Sequence, residues 1–392
     1  MLCIKNNLDT GEISDDNLLP ENSSTSSSSS AYIIGHNTDL STEILLRLPL
    51  KSLLELKYVS KQWLSLISQP HFVRLHCLQN RPSINGLFLV KPSYGKIQEF
   101  EFIFLDGKHT EPVPIKTLAF VNDPAGLRVE QSCNGLLCCS SFQSHISKRI
   151  YYIYNPATKH YRMIPTSRMI CSVSLAYDPL KSPHYKVIFI WKNDAVNYHM
   201  EIYSSETRSV RLSSCHLPAS KCMFYTSGVF WNGSLHWIRL RNSSCYFDID
   251  RDALKVMPMP QTIDGNNGLR VEYFGVCRGH MHLIQMYGTS MTHFDIFEMQ
   301  SDYSGWTAKY SIDLEPLTYL YPQPVLDESV FSGEFLYRCR FSVLLVNEEE
   351  DSPSLVLQVP NKIVSYDIRK KVFKKIHDLS PVAQGDGMKI YR

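Results

Sequence analysis

No stretch of the sequence reaches the roughly eighteen consecutive apolar residues that a membrane-spanning helix needs. Residues 1–30 also lack the basic start, apolar centre and small-residue cleavage site of a secretory leader. These absences lead us to expect a soluble chain of the cytoplasm and/or nucleus with no membrane partner. Charge of one sign is equally scarce: 40 Lys and Arg stand against 38 Asp and Glu, a net charge of +2. Nothing in that balance calls for nucleic acid as a partner. The eleven cysteines contain no Cys-x-x-Cys pair, which argues against a zinc ribbon or finger. Most are read as small buried hydrophobes, the state of cysteine in a reducing compartment. Gly-x-Ser-x-Gly, Walker and His-Glu-x-x-His patterns are missing as well.

What is present begins with a polar stretch, 1–35, whose Ser-rich run from Asn22 to Ser30 cannot bury enough apolar area to offset its ordering entropy, so a disordered leader is expected. Between 36 and 78 the pattern is helical. Leu40, Ile44, Leu45 and Leu48 share one stripe, and Pro49 is placed to stop that helix. Ser52-Leu-Leu-Glu55 has the form of a capping box and predicts a second helix starting at Ser52. Ser60 is placed to cap a third, with Trp63, Leu64 and Ile67 on its apolar face, and His71–Leu78 can extend helically beyond Pro70. Three short helices cannot hide this much apolar surface from water, so the segment calls for a partner.

These residues resemble the F-box in the form common among plant F-box proteins: Asp39-Leu40, Glu43-Ile44-Leu45, Arg47 to Leu54 and Val59 to Trp63. The resemblance implies docking on a Skp-type adaptor, and through it on a cullin and a RING subunit. It assigns the adaptor contact to Leu40, Ile44, Leu45, Leu48, Pro49, Leu50, Leu53, Leu54, Val59 and Trp63, a surface shared with packing between the helices. His36-Asn37 departs from the family's usual Leu-Pro, removing an apolar contact and a proline suited to a first helical turn. Asn37 can still cap the helix.

From about residue 84 the period becomes alternating and β-branched and aromatic residues dominate, as in Gly86–Val90 and Tyr151–Tyr154. Asn134-Gly135, Tyr154-Asn155 and Ile164-Pro165 recur in order as Asn232-Gly233, Phe247-Asp248 and Met257-Pro258, and Arg278-Gly279 with Phe294-Asp295 repeats the first half. The period of about 44–50 residues fits propeller blades. Asn-Gly supplies the positive φ angles of a type I′ hairpin, and the closing proline breaks each ladder. Six units are expected, starting near 84, 127, 171, 222, 271 and 334, with five or seven as neighbouring counts and a two-sheet sandwich as the alternative. By composition the fold class is α+β: a small all-α segment (36–78), an all-β propeller-like domain of about six blades (84–380), and a tail or closing strand (381–392).

Ser132–Cys138, Tyr154–Arg162, Tyr185–Ile188, Gly228–Trp237 and Phe247–Ile249 resemble the plant F-box-associated domain, a kelch-related interaction module. The two resemblances together imply the substrate-recognition subunit of a Skp–cullin–F-box ubiquitin ligase, a non-catalytic receptor without a cofactor that binds an unidentified target protein. The alternative is a propeller enzyme or carbohydrate-binding protein with the helices as an accessory. His280-x-His282 puts two imidazoles on one side of a strand, but with only His293 nearby no metal site is assigned. Glu348–Asp351 reads as a solvated loop, and Arg369–Lys371 with Lys374-Lys375 as an exposed basic hairpin that could line an anion-binding surface. Trp191, Tyr198 and Tyr321 are either peptide anchors or packing between blades, with packing favoured.

Overall fold

The computed structural model describes residues 37–80, 86–91, 99–105, 113–115, 120–121, 126–141, 149–156, 158–164, 166, 168–192, 197–218, 227–238, 244–260, 270–286, 292–321, 341–348, 352–359, 361–379 and 390–391. They form two compact units, one helical and one of strands. The expected leader at 1–35 lies outside the described residues.

The helical unit contains α1 (Thr38–Leu46), α2 (Leu50–Leu56), α3 (Lys61–Ser68) and α4 (Pro70–Gln79). Asn37 caps α1 as its sequence position suggests: its Oδ1 accepts from the backbone N–H of Asp39 and of Leu40, both at 3.0 Å. Ser60 caps α3 by accepting from the Trp63 N–H at 3.1 Å. The second helix corrects the expectation. It begins at Leu50, with Pro49 as N-cap at φ −60 and ψ 150 and no side-chain cap, so Ser52 lies inside the helix and the capping box is not formed. Extended backbone at Pro49 lets the chain turn into the helix two residues earlier than the capping pattern suggests. Leu45, Leu46, Leu53, Leu66, Ile67 and Phe72 form the core, flanked by Leu48, Leu56, Trp63 and Leu75. Helix α4 also meets the free carbonyls at the end of α1. The His76 Nε2–H donates to the Leu48 carbonyl at 2.8 Å and the Asn80 Nδ2 donates to that of Leu46 at 2.8 Å, satisfying acceptors that a helix end leaves open.

Among the described residues the second unit has 24 strands in six four-stranded antiparallel sheets. Blade 1 contains β1 (Gly86–Lys91), β2 (Glu99–Phe104) and β3 (Val113–Ile115). Blade 2 is β4 (Leu127–Cys133), β5 (Leu136–Ser141), β6 (Tyr151–Asn155) and β7 (His160–Ile164). Blade 3 is β8 (Ile170–Ala176), β9 (Lys186–Lys192), β10 (Asn197–Ser204) and β11 (Ser209–Pro218). Blade 4 is β12 (Val229–Trp231), β13 (Ser234–Ile238), β14 (Ser244–Asp248) and β15 (Ala253–Met257). Blade 5 is β16 (Arg270–Cys277), β17 (His280–Met286), β18 (His293–Met299) and β19 (Trp306–Asp313), followed by a short helix, α5 (Glu315–Leu320). Blade 6 is β20 (Ser342–Glu348), β21 (Pro353–Val359), β22 (Lys362–Asp367) and β23 (Val372–Asp378). The last strand, β24 (Ile390–Tyr391), pairs with β1, so the end of the chain supplies the fourth strand of blade 1.

The blades close into a ring, as six shared cores show. Apolar side chains of blades 1 and 2 meet in one cluster, and those of 2 and 3, 3 and 4, 4 and 5, and 5 and 6 meet in the next four. Leu87 and Ile103 of blade 1 then pack with Leu345, Val356 and Ile363 of blade 6. A two-sheet sandwich has no such cycle of interfaces. Hairpin geometry follows the sequence. Asn134 and Gly135 take φ of 45 and 86, Asn232 and Gly233 of 49 and 77, and Arg278 and Gly279 of 49 and 84, the paired positive angles of a type I′ turn. Between the third and fourth strands of a blade, an Asx side chain organises the turn: Asn155 accepts from the Thr158 N–H, Asp248 from the Arg251 N–H and Asp367 from the Lys370 N–H.

The first strand of a blade presents an unpaired edge toward the axis, and side chains of the preceding blade cover it. Gln131 Oε1 accepts from the Leu175 N–H at 2.7 Å, Ser174 Oγ from the Gly228 N–H at 2.8 Å and Glu272 Oε1 from the Val343 N–H at 3.0 Å. Gly228 also admits the Trp237 ring, since a Cβ there would lie 2.7 Å from Trp237 Cε2.

Candidate interaction surfaces

The ten residues assigned to adaptor contact divide into three groups. Leu45 and Leu53 are buried in the helical core, where they hold the helices together and offer no surface. Leu48, Leu54 and Trp63 are half-buried. Leu40, Ile44, Leu50 and Val59 are 45%, 49%, 52% and 63% exposed, and Pro49 is exposed beside them in sequence. Leu40 and Ile44 are four residues apart on α1 and lie one above the other on its outer side, while Leu45 and Leu46 face the core. Sequence reasoning missed Tyr58, which is 92% exposed in the turn between α2 and α3. Leu64, read with Trp63 and Ile67 on the apolar face of α3, is exposed, whereas Ile67 is buried. An aromatic residue two positions before a helix cap was the available signal for Tyr58.

Two rims of the propeller differ in how the strands are joined. Along one rim run the type I′ and Asx turns, mostly of two to four residues, as at 134–135, 232–233, 278–279 and 249–252. At the other rim each second strand ends and the third begins, and one blade gives way to the next, across longer sequence intervals such as 142–150, 219–228, 258–269 and 314–341. Long connections at one rim of a rigid scaffold are where binding specificity is carried. Of the aromatics considered as peptide anchors, Trp191 is buried, with the Arg168 guanidinium 4.4 Å above its ring and the His199 ring stacked against it at 4.7 Å. Tyr198 and Tyr321 are half-buried under Lys192 and Lys362. Packing accounts for most of their surface.

The two histidines of β17 converge on acidic groups the sequence did not connect to them. His280 Nδ1 lies 2.7 Å from Glu298 Oε1 on β18. The fully buried His282 Nε2 lies 3.0 Å from Glu348 Oε1 of blade 6, out of line for a hydrogen bond, and 3.8 Å from Glu298 Oε2. The ammonium of Lys309 contacts both carboxylates, at 2.7 Å from Glu348 Oε1 and in a short contact with Glu298 Oε2. Glu348 is therefore no part of a solvated loop; it ends β20 and ties blade 6 to blade 5, because the run of acids hides one residue that still belongs to the strand. Residues 349–351 lie outside the described residues. Burial raises the Glu348 carboxyl, but the neighbouring His282 ring and Lys309 ammonium outweigh it and hold the group down at about 2. The Lys309 ammonium fills the place that a cation would take between His282, Glu298 and Glu348, which their spacing alone would suit to a metal ion. His293 is elsewhere, exposed with Asp313 and Glu315 at the far end of β18.

Other titratable groups inside the ring are held neutral. The His236 Nδ1–H donates to the Val229 carbonyl at 3.1 Å, so Nε2 accepts from the Tyr303 hydroxyl at 2.9 Å, and burial pushes the imidazole down to about 4. Cys133, Cys138, Cys139 and Cys277 are buried among strands and Cys171 is exposed. Burial pushes the Cys133 thiol up to about 12 and that of Cys138 well above its ordinary value. The basic hairpin is exposed as expected, its turn held by Asp367, with Lys375 paired to Asp378 at 2.8 Å.

Comparison with known proteins agrees with this division. Residues 37–75 match the F-box domain and residues 96–288 the F-box associated beta propeller domain. The chain is 34% identical over 375 residues to the F-box protein At5g07610 of Arabidopsis thaliana, spanning 90% of this chain and 88% of that one. It is 29% identical over 332 residues to the F-box protein At5g49610 of the same plant, spanning 78% and 86%. Among solved structures, TolB from Acinetobacter baumannii is similar at a TM-score of 0.40 and 11% identity over 78% of this chain and 66% of that one.

Proposed function

Since the chain belongs to the F-box proteins that carry an F-box-associated β-propeller domain, we propose that it is the substrate-recognition subunit of a Skp–cullin–F-box ubiquitin ligase. The helical unit docks on the Skp-type adaptor, which brings in the cullin and RING subunits, and the propeller holds a target protein. The observation that carries this reading is the exposed set Leu40, Ile44, Leu50 and Val59, on helices whose core is already closed by other side chains. Exposed apolar surface of that kind on a small unit marks an interface with another protein.

The chain contributes proximity and no chemistry of its own. Holding a target lysine near the charged conjugating enzyme raises its effective concentration, on the order of millimolar for a short flexible tether. Such a complex operates in the cytoplasm and/or nucleus. The test is assembly: the full chain co-expressed with a Skp-type adaptor, a cullin and a RING subunit is expected to elute with all three in one complex. Elution of the chain apart from the adaptor would overturn the reading.

A further inference from the structure

We infer that the cluster joining blades 5 and 6 is a binding site for a divalent transition metal such as zinc, with His282 Nε2, Glu298 Oε2 and Glu348 Oε1 as ligands and the Lys309 ammonium as the cation the metal displaces. One donor atom from each of the three lies within 4.8 Å of the others. His282 Nε2 is 3.0 Å from the Glu348 oxygen and 3.8 Å from the Glu298 oxygen. Ligands bound about 2.0–2.1 Å from a tetrahedral zinc stand about 3.3 Å apart, between those two distances. His282 is fully buried, and neither of its ring nitrogens makes a hydrogen bond among the described residues. A buried polar group without a partner costs free energy, and this one directs Nε2 between two carboxylates, where a metal ion would satisfy it.

The charges favour the exchange. Two carboxylates against one ammonium, with both imidazoles neutral, leave the cluster with a single net negative charge. A divalent ion in place of the ammonium brings the sum to zero, and an unbalanced charge shielded from water is costly. Lys309 is the most exposed of the four side chains, so its flexible stem can carry the ammonium out to water as the ion enters. His280 supplies an outer contact: its Nδ1 lies 2.7 Å from Glu298 Oε1, which holds that carboxylate with Oε2 toward the site. The ligands come from β17 and β18 of blade 5 and from β20 of blade 6, so the ion cross-links two neighbouring blades. An imidazole in the set selects zinc over magnesium.

The test is a zinc titration of the full chain, freed of metal by a chelator and read by competition with a chromophoric zinc indicator, alongside thermal melts with and without zinc. The wild type is expected to bind zinc and to melt higher with it, and to show no response to magnesium at the same concentration. His282→Gln should weaken the site by at least about a hundredfold and His280→Gln by about tenfold. Lys309→Met should tighten it by about tenfold or more, and should melt below the wild type without zinc but not with it, because only the metal then balances the two carboxylates. His293→Gln with Asp313→Asn, which alters the exposed cluster at the far end of β18, should leave binding within about twofold. No zinc binding by the wild type, unchanged affinity in a folded His282→Gln, or equal loss in the His293/Asp313 variant would each overturn the inference. Binding by Lys309→Met alone would overturn it too, since the ammonium would then be the permanent cation of the site. Should His282→Gln fail to fold, Lys309→Met decides: a melt that zinc does not raise overturns the inference. Adaptor binding enters none of these outcomes, so the receptor reading stands or falls separately.

Discussion

The helical unit and the propeller handle apolar surface in opposite ways. In the propeller each blade finds its partner within the same chain, and the sixth interface, between Leu87 and Ile103 of blade 1 and Leu345 of blade 6, returns to the start. The helical unit has a core of six buried side chains. Among the described residues it nevertheless exposes eight large apolar side chains between 37 and 80, against ten in all the remaining described residues. Those ten include Val210, Val256 and Val372 on the outermost strands, where scattered exposed apolar residues are ordinary. A ring of repeats is self-sufficient because its last member covers its first. A short helical unit has no such closure, and its surplus faces outward, where we propose that the adaptor docks.

The comparison predicts first that equal deletions have unequal consequences. Leu45→Ala and Leu283→Ala both truncate fully buried side chains, each costing about 2–5 kcal/mol. A unit with a core this small cannot absorb that loss. Hydrogen exchange should therefore show residues 38–79 unprotected in Leu45→Ala, while Leu283→Ala keeps its blades protected at reduced stability. A smaller effect is expected for Gly228→Ala, whose new methyl meets the Trp237 ring. It should lower propeller stability by about 1–3 kcal/mol in a urea melt, with adaptor binding untouched.

Acid sharpens the contrast further. His236 is held neutral down to about 4 from an ordinary 6.5, so the unfolded chain takes up the proton first and propeller stability falls as pH drops through that window. Glu348, held at about 2 from an ordinary 4.5, contributes stability that is present above 4.5 and lost as pH falls toward 2. Urea melts at successive pH values should show His236→Phe flattening the first window and Glu348→Gln the second. The smallest effect expected is that of Asn37→Ala, which removes the cap of α1 and costs about 1 kcal/mol, visible as earlier helix loss by circular dichroism.

Much of this was legible in sequence, and the misses share a cause. Asn37, Ser60 and the Asn-Gly turns act on backbone within three residues of themselves, and all were read correctly. Ser52 and Glu55 carried a sound local signal that lost to a competing one, the extended Pro49 three positions before Ser52. The bonds that knit the inner strands join Gln131 to Leu175, Ser174 to Gly228 and Glu272 to Val343, separations of 44, 54 and 71 residues. No local pattern announces them. The same holds for β24 on β1, and for Glu348, whose partners His282 and Lys309 lie in the preceding blade. At the helical surface, sequence placed Leu40, Ile44, Leu45 and Leu48 on one stripe but could not separate Leu45, which holds the core, from its neighbour Ile44, which faces out.

The outward-facing side chains offer the most direct test of the central claim. Ile44→Ser with Leu50→Ser alters only exposed positions, so circular dichroism and the thermal melt should match the wild type. Titration of the full chain with a purified Skp-type adaptor should then show affinity reduced by at least about a hundredfold, as expected when two central apolar anchors are removed. Wild-type affinity in a folded double variant would contradict the account.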